Sequence, residues 1–221
     1  MCDIKTKYYT LRNGIETRIE EKKSIFICNA KNVESEEDAR SFISSVRKKY
    51  NDAKHNVYAY VIGQNSEIQK CSDDGEPHGT AGMPVLQIIL KKKLTNTVAV
   101  VTRYFGGILL GASGLIRTYA RASKEAVDKA EKVEVLCGNK ITLTFDYGIY
   151  DKLQYFFNNN NIKIEKTSYT DVVKTEFYCQ NKNLDCIKKN IIDYTNDKLK
   201  IEAGKNELLF KLNDGKLIPK K

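Results

Sequence analysis

The stretch TVAVVTRYFGGILLGASGLIRTYARASKEAVDKAEK, residues 97–132, joins a strand, a glycine-rich loop and a long helix. Its first six residues are mostly β-branched, which predicts a strand buried on both faces. Residues 106–114 are rich in glycine and predict a loop, which leads into a helix from about residue 115 to residue 132. The apolar face of that helix carries Leu115, Tyr119, Ala122, Ala126 and Ala130. This spacing predicts that the helix packs against a core.

Strand and helix signals alternate on the N-terminal side of this stretch. Residues 24–30 and 57–62 predict strands. Between them, Ser35 predicts the N-cap of a helix whose apolar residues recur every three or four positions. Pro84 predicts the first position of a further helix.

A second set of signals begins near residue 140 and follows the order β-α-β-β-α-β, which is the ferredoxin-like pattern. Its last strand, residues 199–212, contains Gly204, which predicts a bend. We therefore predict an α+β protein of two domains. The first is an α/β domain over residues 1–137, and the second is a ferredoxin-like domain over residues 138–221.

The composition is typical of a globular protein. Hydrophobic residues make up 41% and charged residues 29% of the 221 positions, which argues against intrinsic disorder. No segment approaches the roughly 18 consecutive apolar residues of a membrane helix, and the N-terminal MCDIK lacks the apolar core of a secretory signal. The six cysteines form no CxxC pair, so we expect reduced thiols and no metal. We expect a cytoplasmic protein without a membrane partner.

The charge balance favours a polyanionic partner. The chain has 37 Lys and Arg residues against 28 Asp and Glu residues, for a formal charge of +9. All seven arginines precede residue 122. Because arginine suits bidentate phosphate contacts, a specific anion site is expected in the first part of the chain.

The loop CSDDGEPHGTAG, residues 71–82, holds the densest group of functional side chains. Carboxylates of this kind bind hard cations such as Mg²⁺, and histidine serves as a general base near neutral pH. The spacing does not match an EF-hand, and the same residue types also satisfy the backbone of a turn. The candidate ligand residues of this region are His55, Asp73, Asp74, Glu76 and His78.

The glycine-rich loop between strand and helix is a candidate anion site. Backbone N–H groups at such a junction bind anions. The loop matches neither the phosphate-binding loop of nucleotide hydrolases, nor the dinucleotide fingerprint, nor the nucleophile elbow. Close backbone packing also explains these glycines. The candidate residues are Gly106, Gly107, Gly111, Ser113 and Gly114.

A basic helix face lies next to this loop. Three cations of the long helix recur at spacings of four and three residues, so they share one face. One cation and two aromatic residues lie at the end of the preceding strand. Cations interleaved with aromatic rings suit RNA, because phosphates pair with cations and unstacked bases stack on rings. The predicted nucleic-acid contacts are Arg103, Tyr104, Phe105, Arg117, Arg121 and Lys124.

Four blocks of the first part resemble the YigZ/IMPACT family: HNVYAY at residues 55–60, SDDGEP and GTAGMP within residues 72–84, VTRYFGG at residues 101–107, and LGASGLIR at residues 110–117. The tail from about residue 143 is similar to the C-terminal domain of bacterial members. The resemblance implies a first domain similar to a small-ribosomal-subunit protein and to domain IV of elongation factor G. It implies a second domain similar to domain V of that factor. Eukaryotic relatives look like translational regulators.

We therefore expect a non-catalytic protein that binds RNA or the ribosome and regulates translation, without a cofactor. No nucleophile–base pair is identifiable. The alternative is an enzyme or small-ligand-binding protein that uses the loops at residues 73–78 and 106–114. A further alternative is a protein-docking module with a partner in translation, since a ferredoxin-like sheet serves many partners.

Overall fold

A computed structural model describes residues 7–220 of the chain. The described residues form two compact units, one over Tyr8–Val133 and one over residues 134–220 together with Lys7. Two sheets and five α-helices are present among them, so the α+β class is confirmed.

The first unit is one sheet with helices on both faces. Its elements are β1 Tyr8–Leu11, β2 Ile15–Glu21, β3 Ser24–Asn32, α1 Glu36–Lys49, β4 His55–Ile62, β5 Ile68–Ser72, α2 Gly82–Lys91, β6 Thr97–Tyr104 and α3 Gly111–Lys129. The sheet order is β2-β3-β6-β4-β5, and all neighbours are antiparallel. Helix α1 packs on one face, and helices α2 and α3 pack on the other. Strand β6 lies centrally, which is why nearly all of its residues are buried.

Helix starts follow local chemistry. The Ser35 hydroxyl accepts a hydrogen bond of 3.1 Å from the Asp38 N–H, so the predicted N-cap of α1 is confirmed. Helix α2 begins at Gly82, two residues before the start predicted from Pro84. Pro84 has no N–H group and is tolerated at the third position, because the first four N–H groups of a helix have no intrahelical acceptor. Helix α3 begins at Gly111, earlier than predicted, and ends at Lys129.

The second unit has two helices on a sheet. Its elements are β7 Lys132–Phe145, which begins at the end of the first unit, α4 Tyr150–Asn159, β8 Ile164–Tyr169, β9 Val173–Gln180, α5 Leu184–Thr195, β10 Leu199–Lys211 and β11 Leu217–Pro219. The strand order is β11-β10-β7-β9-β8. Ile141, Leu143 and Phe177 lie in the core under the helices. The register of β10 against β7 shifts between Ala203 and Asn206, around the predicted bend.

The cysteines differ from expectation at one position. Cys28 and Cys179 are buried free thiols, and burial raises the pKa of the Cys28 thiol to about 12. Cys71 and Cys186 are also free. Cys137 is disulfide-bonded, so the expectation of reduced thiols is wrong there. Within residues 7–220, no helix is both long enough and apolar enough to span a membrane.

Candidate functional site

The loop between β5 and α2 uses its first carboxylate to begin a helix. The Asp73 carboxylate accepts hydrogen bonds from the N–H groups of Gly79 (2.8 Å), Ala81 (3.1 Å) and Gly82 (2.8 Å). Burial by itself raises the pKa of Asp73, but the three donors outweigh burial, so this pKa lies below its usual range. Asp73 therefore fixes the N-terminus of α2.

The second carboxylate of the loop joins α1 to β4. Asp74 Oδ2 accepts from the Asn56 N–H at 2.6 Å, and Asp74 Oδ1 accepts from an Arg47 Nη at 2.5 Å. The Asp74 carbonyl lies 2.9 Å from His55 Nδ1. The His78 side chain is exposed, and its Nδ1 lies 3.8 Å from Asp73 Oδ2. The two histidines thus contact different residues of the loop.

The third carboxylate is buried and joins β6 to α3. Glu76 Oε1 and Oε2 accept from Arg103 Nη1 at 2.7 and 3.0 Å, and the Tyr119 hydroxyl donates to Glu76 Oε1 at 2.7 Å. The Arg103 and Glu76 side chains are only 7% and 3% exposed. The Arg103 guanidinium also lies over the rings of Phe26 and Phe105, at 5.5 and 5.6 Å. Burial, and then the Glu76 charge, raise the pKa of Tyr119.

Asp73, Asp74 and Glu76, the three carboxylates of this loop, are called the carboxylate brace. Each carboxylate already has protein donors. Across the described part of the chain, no three His, Cys, Asp or Glu residues are arranged to hold a metal ion. The carboxylate brace holds α1, α2, α3 and the sheet in place.

An Asp73→Asn variant is expected to lose about 1–2 kcal/mol of free energy of unfolding at neutral pH, since the helix start loses charged acceptors. The folded pKa of Asp73 is depressed, so its contribution is complete above the unfolded pKa of about 3.9 and disappears as the pH falls through the folded value. The difference between wild type and variant should therefore shrink below about pH 4. Urea unfolding across pH measures it.

Glu20→Gln is the control for Asp73→Asn. Glu20 is an exposed carboxylate on β2 of the same unit, and its substitution is expected to change the free energy of unfolding by less than about 0.5 kcal/mol. Equal effects for the two variants across pH would show that Asp73 does not hold the start of α2.

Two of the predicted RNA contacts do not lie on the expected surface. Arg103 is internal, so a phosphate could reach it only if its pair with Glu76 opened. Side chains alternate along β6, which places Tyr104 on the α1 face of the sheet. There its hydroxyl donates to Asp52 at 2.6 Å, a contact that raises the pKa of Tyr104 to about 12. The structure therefore separates Tyr104 from Phe105 and from α3.

The other predicted contacts lie together. Arg117, Arg121 and Lys124 are exposed along α3. Arg121 pairs with Glu21 at 2.9 Å and donates to the Glu20 carbonyl at 2.9 Å. Within residues 7–220, no ion pair involves Arg117 or Lys124. The Phe105 ring is 54% exposed at the start of the adjoining loop.

Two lysines that the sequence analysis missed join this surface. Lys22 and Lys23 form the turn between β2 and β3, and both are exposed, with φ of 46° and 63°. Glycine or asparagine normally occupies such left-handed turn positions. Lys22 also lines a cavity of about 270 Å³ with Arg117 and Arg121. The cationic helix surface is defined here as Lys22, Lys23, Phe105, Arg117, Arg121 and Lys124.

The predicted anion loop is divided by the start of α3. Gly111, Ser113 and Gly114 belong to the first turn of the helix, and Gly106 and Gly107 precede it. The Gly106 N–H donates to Ser24 Oγ at 3.1 Å, which attaches the loop to the hairpin. Between the two groups of glycines, Ile108 and Leu109 are 43% and 81% exposed. The loop therefore presents apolar side chains beside the cationic helix surface.

Comparison with known proteins finds relatives for both units. The model described as the Impact N-terminal domain matches residues 22–127, and the model described as a domain of unknown function (DUF1949) matches residues 143–198. IMPACT family member YvyE of Bacillus subtilis is 38% identical over 204 residues, which cover 92% of this chain and 94% of that protein. IMPACT family member YigZ of Escherichia coli is 42% identical over 114 residues, which cover 50% of this chain and 56% of that protein.

A solved structure has a similar fold. It is a crystal structure of a hypothetical protein, with a TM-score of 0.60 and 28% sequence identity. The alignment covers 90% of this chain and 97% of that one. Sequence and fold thus agree over almost the whole length, and the chain belongs to the IMPACT family.

Proposed function

We propose that this protein binds single-stranded RNA through the cationic helix surface and acts on translation, on the ribosome or beside it. The observation that carries the proposal is the group of exposed cations on α3 and in the turn between β2 and β3, together with an exposed aromatic residue at the start of the loop before α3. Arg117 and Lys124 have no ion-pair partner within the described residues, and two lysines keep a turn conformation that other residues adopt more easily. Such cations gain affinity for phosphates through counterion release.

The role in translation is supported by family membership and by the likeness to elongation factor G that the sequence blocks imply. In the second unit, the strand order β10-β7-β9-β8 with two helices on one face supports the ferredoxin-like assignment. An enzyme built on the residue 73–78 loop has less support, because its carboxylates already have donors.

Docking of a protein partner in translation is a second candidate. Ile108 and Leu109 are exposed beside the cationic helix surface. Recognition of RNA relies on stacking, hydrogen bonds and phosphate contacts, none of which an aliphatic side chain provides. Exposed apolar groups of this kind are typical of protein interfaces.

The test is the affinity of the full chain for a fluorescent single-stranded RNA, measured across salt concentration. Log affinity should fall linearly with log salt, by about 0.7 for each phosphate neutralised. The Arg117→Gln/Lys124→Gln variant should bind more weakly, with the slope reduced by about 1.4. Phe105→Leu should weaken binding severalfold while leaving the slope unchanged, because it removes a stacking ring and no charge.

The matched control is Lys182→Gln/Lys189→Gln, which removes two exposed lysines of the second unit. It should bind RNA as the wild type does. If this control loses as much affinity as the helix variant, the cationic helix surface is not the site. Absence of binding even at low salt would overturn the RNA proposal and leave protein docking as the function to test.

A further inference from the structure

A groove on the opposite face of the first unit contains cations and tyrosine rings that are not part of the proposed RNA surface. Strands β4 and β5 pair with Tyr58 opposite Ser72 and Tyr60 opposite Lys70, so these side chains share one face. Helix α1 covers that face. The tyrosine groove is the cavity between them, lined by Arg40, Ser44, Arg47, Tyr58, Tyr60 and Lys70, with a volume of about 330 Å³.

The tyrosine groove has more cations than carboxylates. Glu36 is shared by Lys70 at 2.9 Å, Arg40 at 3.2 Å and the Tyr60 hydroxyl at 3.1 Å. The Lys70 ammonium is the main reason that the pKa of Glu36 is lowered. Arg47 pairs with Asp74 of the carboxylate brace. Three cations thus face two carboxylates, and one positive charge is left for an anion.

Aromatic rings lie next to these cations. The Tyr58 and Tyr60 rings are nearly parallel, with an angle of 8° between them and 6.2 Å between their centroids. The Arg47 guanidinium lies 5.8 Å from the centre of the Tyr58 ring, and Tyr58 is only half-buried. Arginine planes and tyrosine rings are the surfaces on which proteins stack nucleobases.

The carboxylate brace holds Arg47 in position before any ligand arrives. Asp74 has a φ of 44° and is fixed by the Asn56 N–H, and its own N–H donates to Ser72 Oγ at 3.2 Å. The Arg47 guanidinium is therefore tied to the sheet at one end, while 45% of its side chain remains exposed. Arg40 and Lys70 are 69% and 51% exposed, so their remaining donors face solvent. Groups held in this way lose little freedom when a ligand binds.

A cavity of equal volume in the second unit shows what distinguishes the tyrosine groove. That cavity is also about 330 Å³ and contains Lys182 and Lys211, but no aromatic side chain lines it. Both volumes lie at the lower end of the range of small-molecule sites, roughly 300–1,000 Å³. Of these two cavities, the tyrosine groove is the one that combines cations for a phosphate with a ring for a base.

The geometry points to a nucleotide site in the tyrosine groove, with the phosphate on Arg40 and Lys70 and the base against Tyr58 and Arg47. The ligand is a nucleoside monophosphate unit, either free or within an RNA strand. The site lies on the α1 face of the sheet, and the cationic helix surface lies on the α3 side, so the inference does not rest on the proposed function.

The test is isothermal titration calorimetry of the full chain with AMP, CMP, GMP and UMP, and with inorganic phosphate and adenosine as partial ligands. At least one mononucleotide should bind about tenfold more tightly than inorganic phosphate or adenosine, because it engages both parts of the groove. Arg40→Gln/Lys70→Gln should weaken that binding at least about tenfold. Tyr58→Leu should reduce the mononucleotide affinity to that of inorganic phosphate.

Two control variants separate this site from other effects. Lys91→Gln/Lys93→Gln removes two exposed lysines at the end of α2 and should bind mononucleotide as the wild type does. Arg117→Gln/Lys124→Gln should also leave mononucleotide binding unchanged, so failure of the RNA proposal and failure of the nucleotide site give different results. Circular dichroism of each variant verifies folding.

A competition experiment identifies the source of the nucleotide. If a 12-nucleotide single-stranded RNA displaces the bound mononucleotide, the site is supported as one that holds a strand. If mononucleotide binds and RNA does not displace it, the site is supported as one for a free nucleotide. No binding of any mononucleotide at millimolar concentration, or equal binding by the Arg40→Gln/Lys70→Gln variant, overturns the inference.

Discussion

A Glu76→Ala variant is expected to lose about 3–5 kcal/mol of free energy of unfolding, because it leaves the Arg103 guanidinium buried without its counter-charge. The Arg103 side chain is 7% exposed and lies over the rings of Phe26 and Phe105, so water does not replace the lost carboxylate. The Tyr119 hydroxyl loses its acceptor at the same time, which adds a second desolvated polar group. No other carboxylate of the carboxylate brace is this deeply buried.

Urea unfolding of the full chain, with hydrogen exchange of individual segments, measures this loss. Amide protection should fall in β6 and α3 and stay unchanged in α4 and α5 of the second unit. Glu37→Ala, at an exposed carboxylate of α1, is the control and should change stability by less than about 0.5 kcal/mol.

A second substitution separates loss of the charge pair from loss of packing. The double variant Glu76→Ala/Arg103→Met removes both charges and is expected to be more stable than Glu76→Ala alone, since no unpaired charge remains in the core. If Glu76→Ala/Arg103→Met is instead less stable than Glu76→Ala, the unpaired charge of Arg103 is not what destabilises the single variant.

The elements that could be predicted from the sequence are those with strong local signals. Ser35 with acidic residues after it predicts the start of α1, since a hydroxyl acceptor and the helix dipole act within a few residues. The β-branched run of β6 predicts a central strand, because burial on both faces favours such residues. The β-α-β-β-α-β order of the second part is present in the structure from β7 to β10.

The missed strands lack such signals. Strand β2 alternates threonine, arginine and glutamate with few apolar residues, and its turn into β3 is Lys22-Lys23 instead of the usual asparagine–glycine pair. Strand β5 is short, polar and lies at the edge of the sheet, so burial imposes little pattern on it. Both strands form because a neighbouring strand offers hydrogen bonds, and sequence alone does not display that neighbour.

Some residues of the candidate site could likewise be predicted from the sequence, and others could not. Helical spacing was enough to place Arg117, Arg121 and Lys124 on one exposed face. The burial of Arg103 depends on Glu76, which lies 27 positions earlier in the chain, and on Tyr119. Such long-range pairing leaves no trace in local periodicity. The tyrosine groove could not be predicted from the sequence either, because its cations come from α1 and from β5, which are far apart in the chain.

A Gly106→Ala variant is expected to lose about 3 kcal/mol of free energy of unfolding, because a Cβ at this position overlaps the backbone of the Lys22-Lys23 turn. The added atom would lie inside van der Waals contact with the Lys23 carbonyl group and the Ser24 nitrogen. Backbone atoms of a hairpin do not move aside as the end of a flexible side chain does. The loop or the turn must therefore shift, and the Gly106–Ser24 hydrogen bond is lost.

Variants at two further glycines distinguish the cost of this steric overlap from the cost of backbone strain. At Gly107 an added Cβ meets nothing within 4 Å but φ is +82°, so Gly107→Ala should cost about 1 kcal/mol from strain alone. At Gly14 the nearest atom is 3.9 Å away and φ is not in the left-handed region, so Gly14→Ala should be within about 0.5 kcal/mol of wild type. Urea unfolding of the three variants should rank Gly106→Ala lowest in stability. If Gly106→Ala costs no more stability than Gly107→Ala, the loop does not pack against the backbone of the hairpin between β2 and β3. The two lysines of the turn would then not be held beside Phe105.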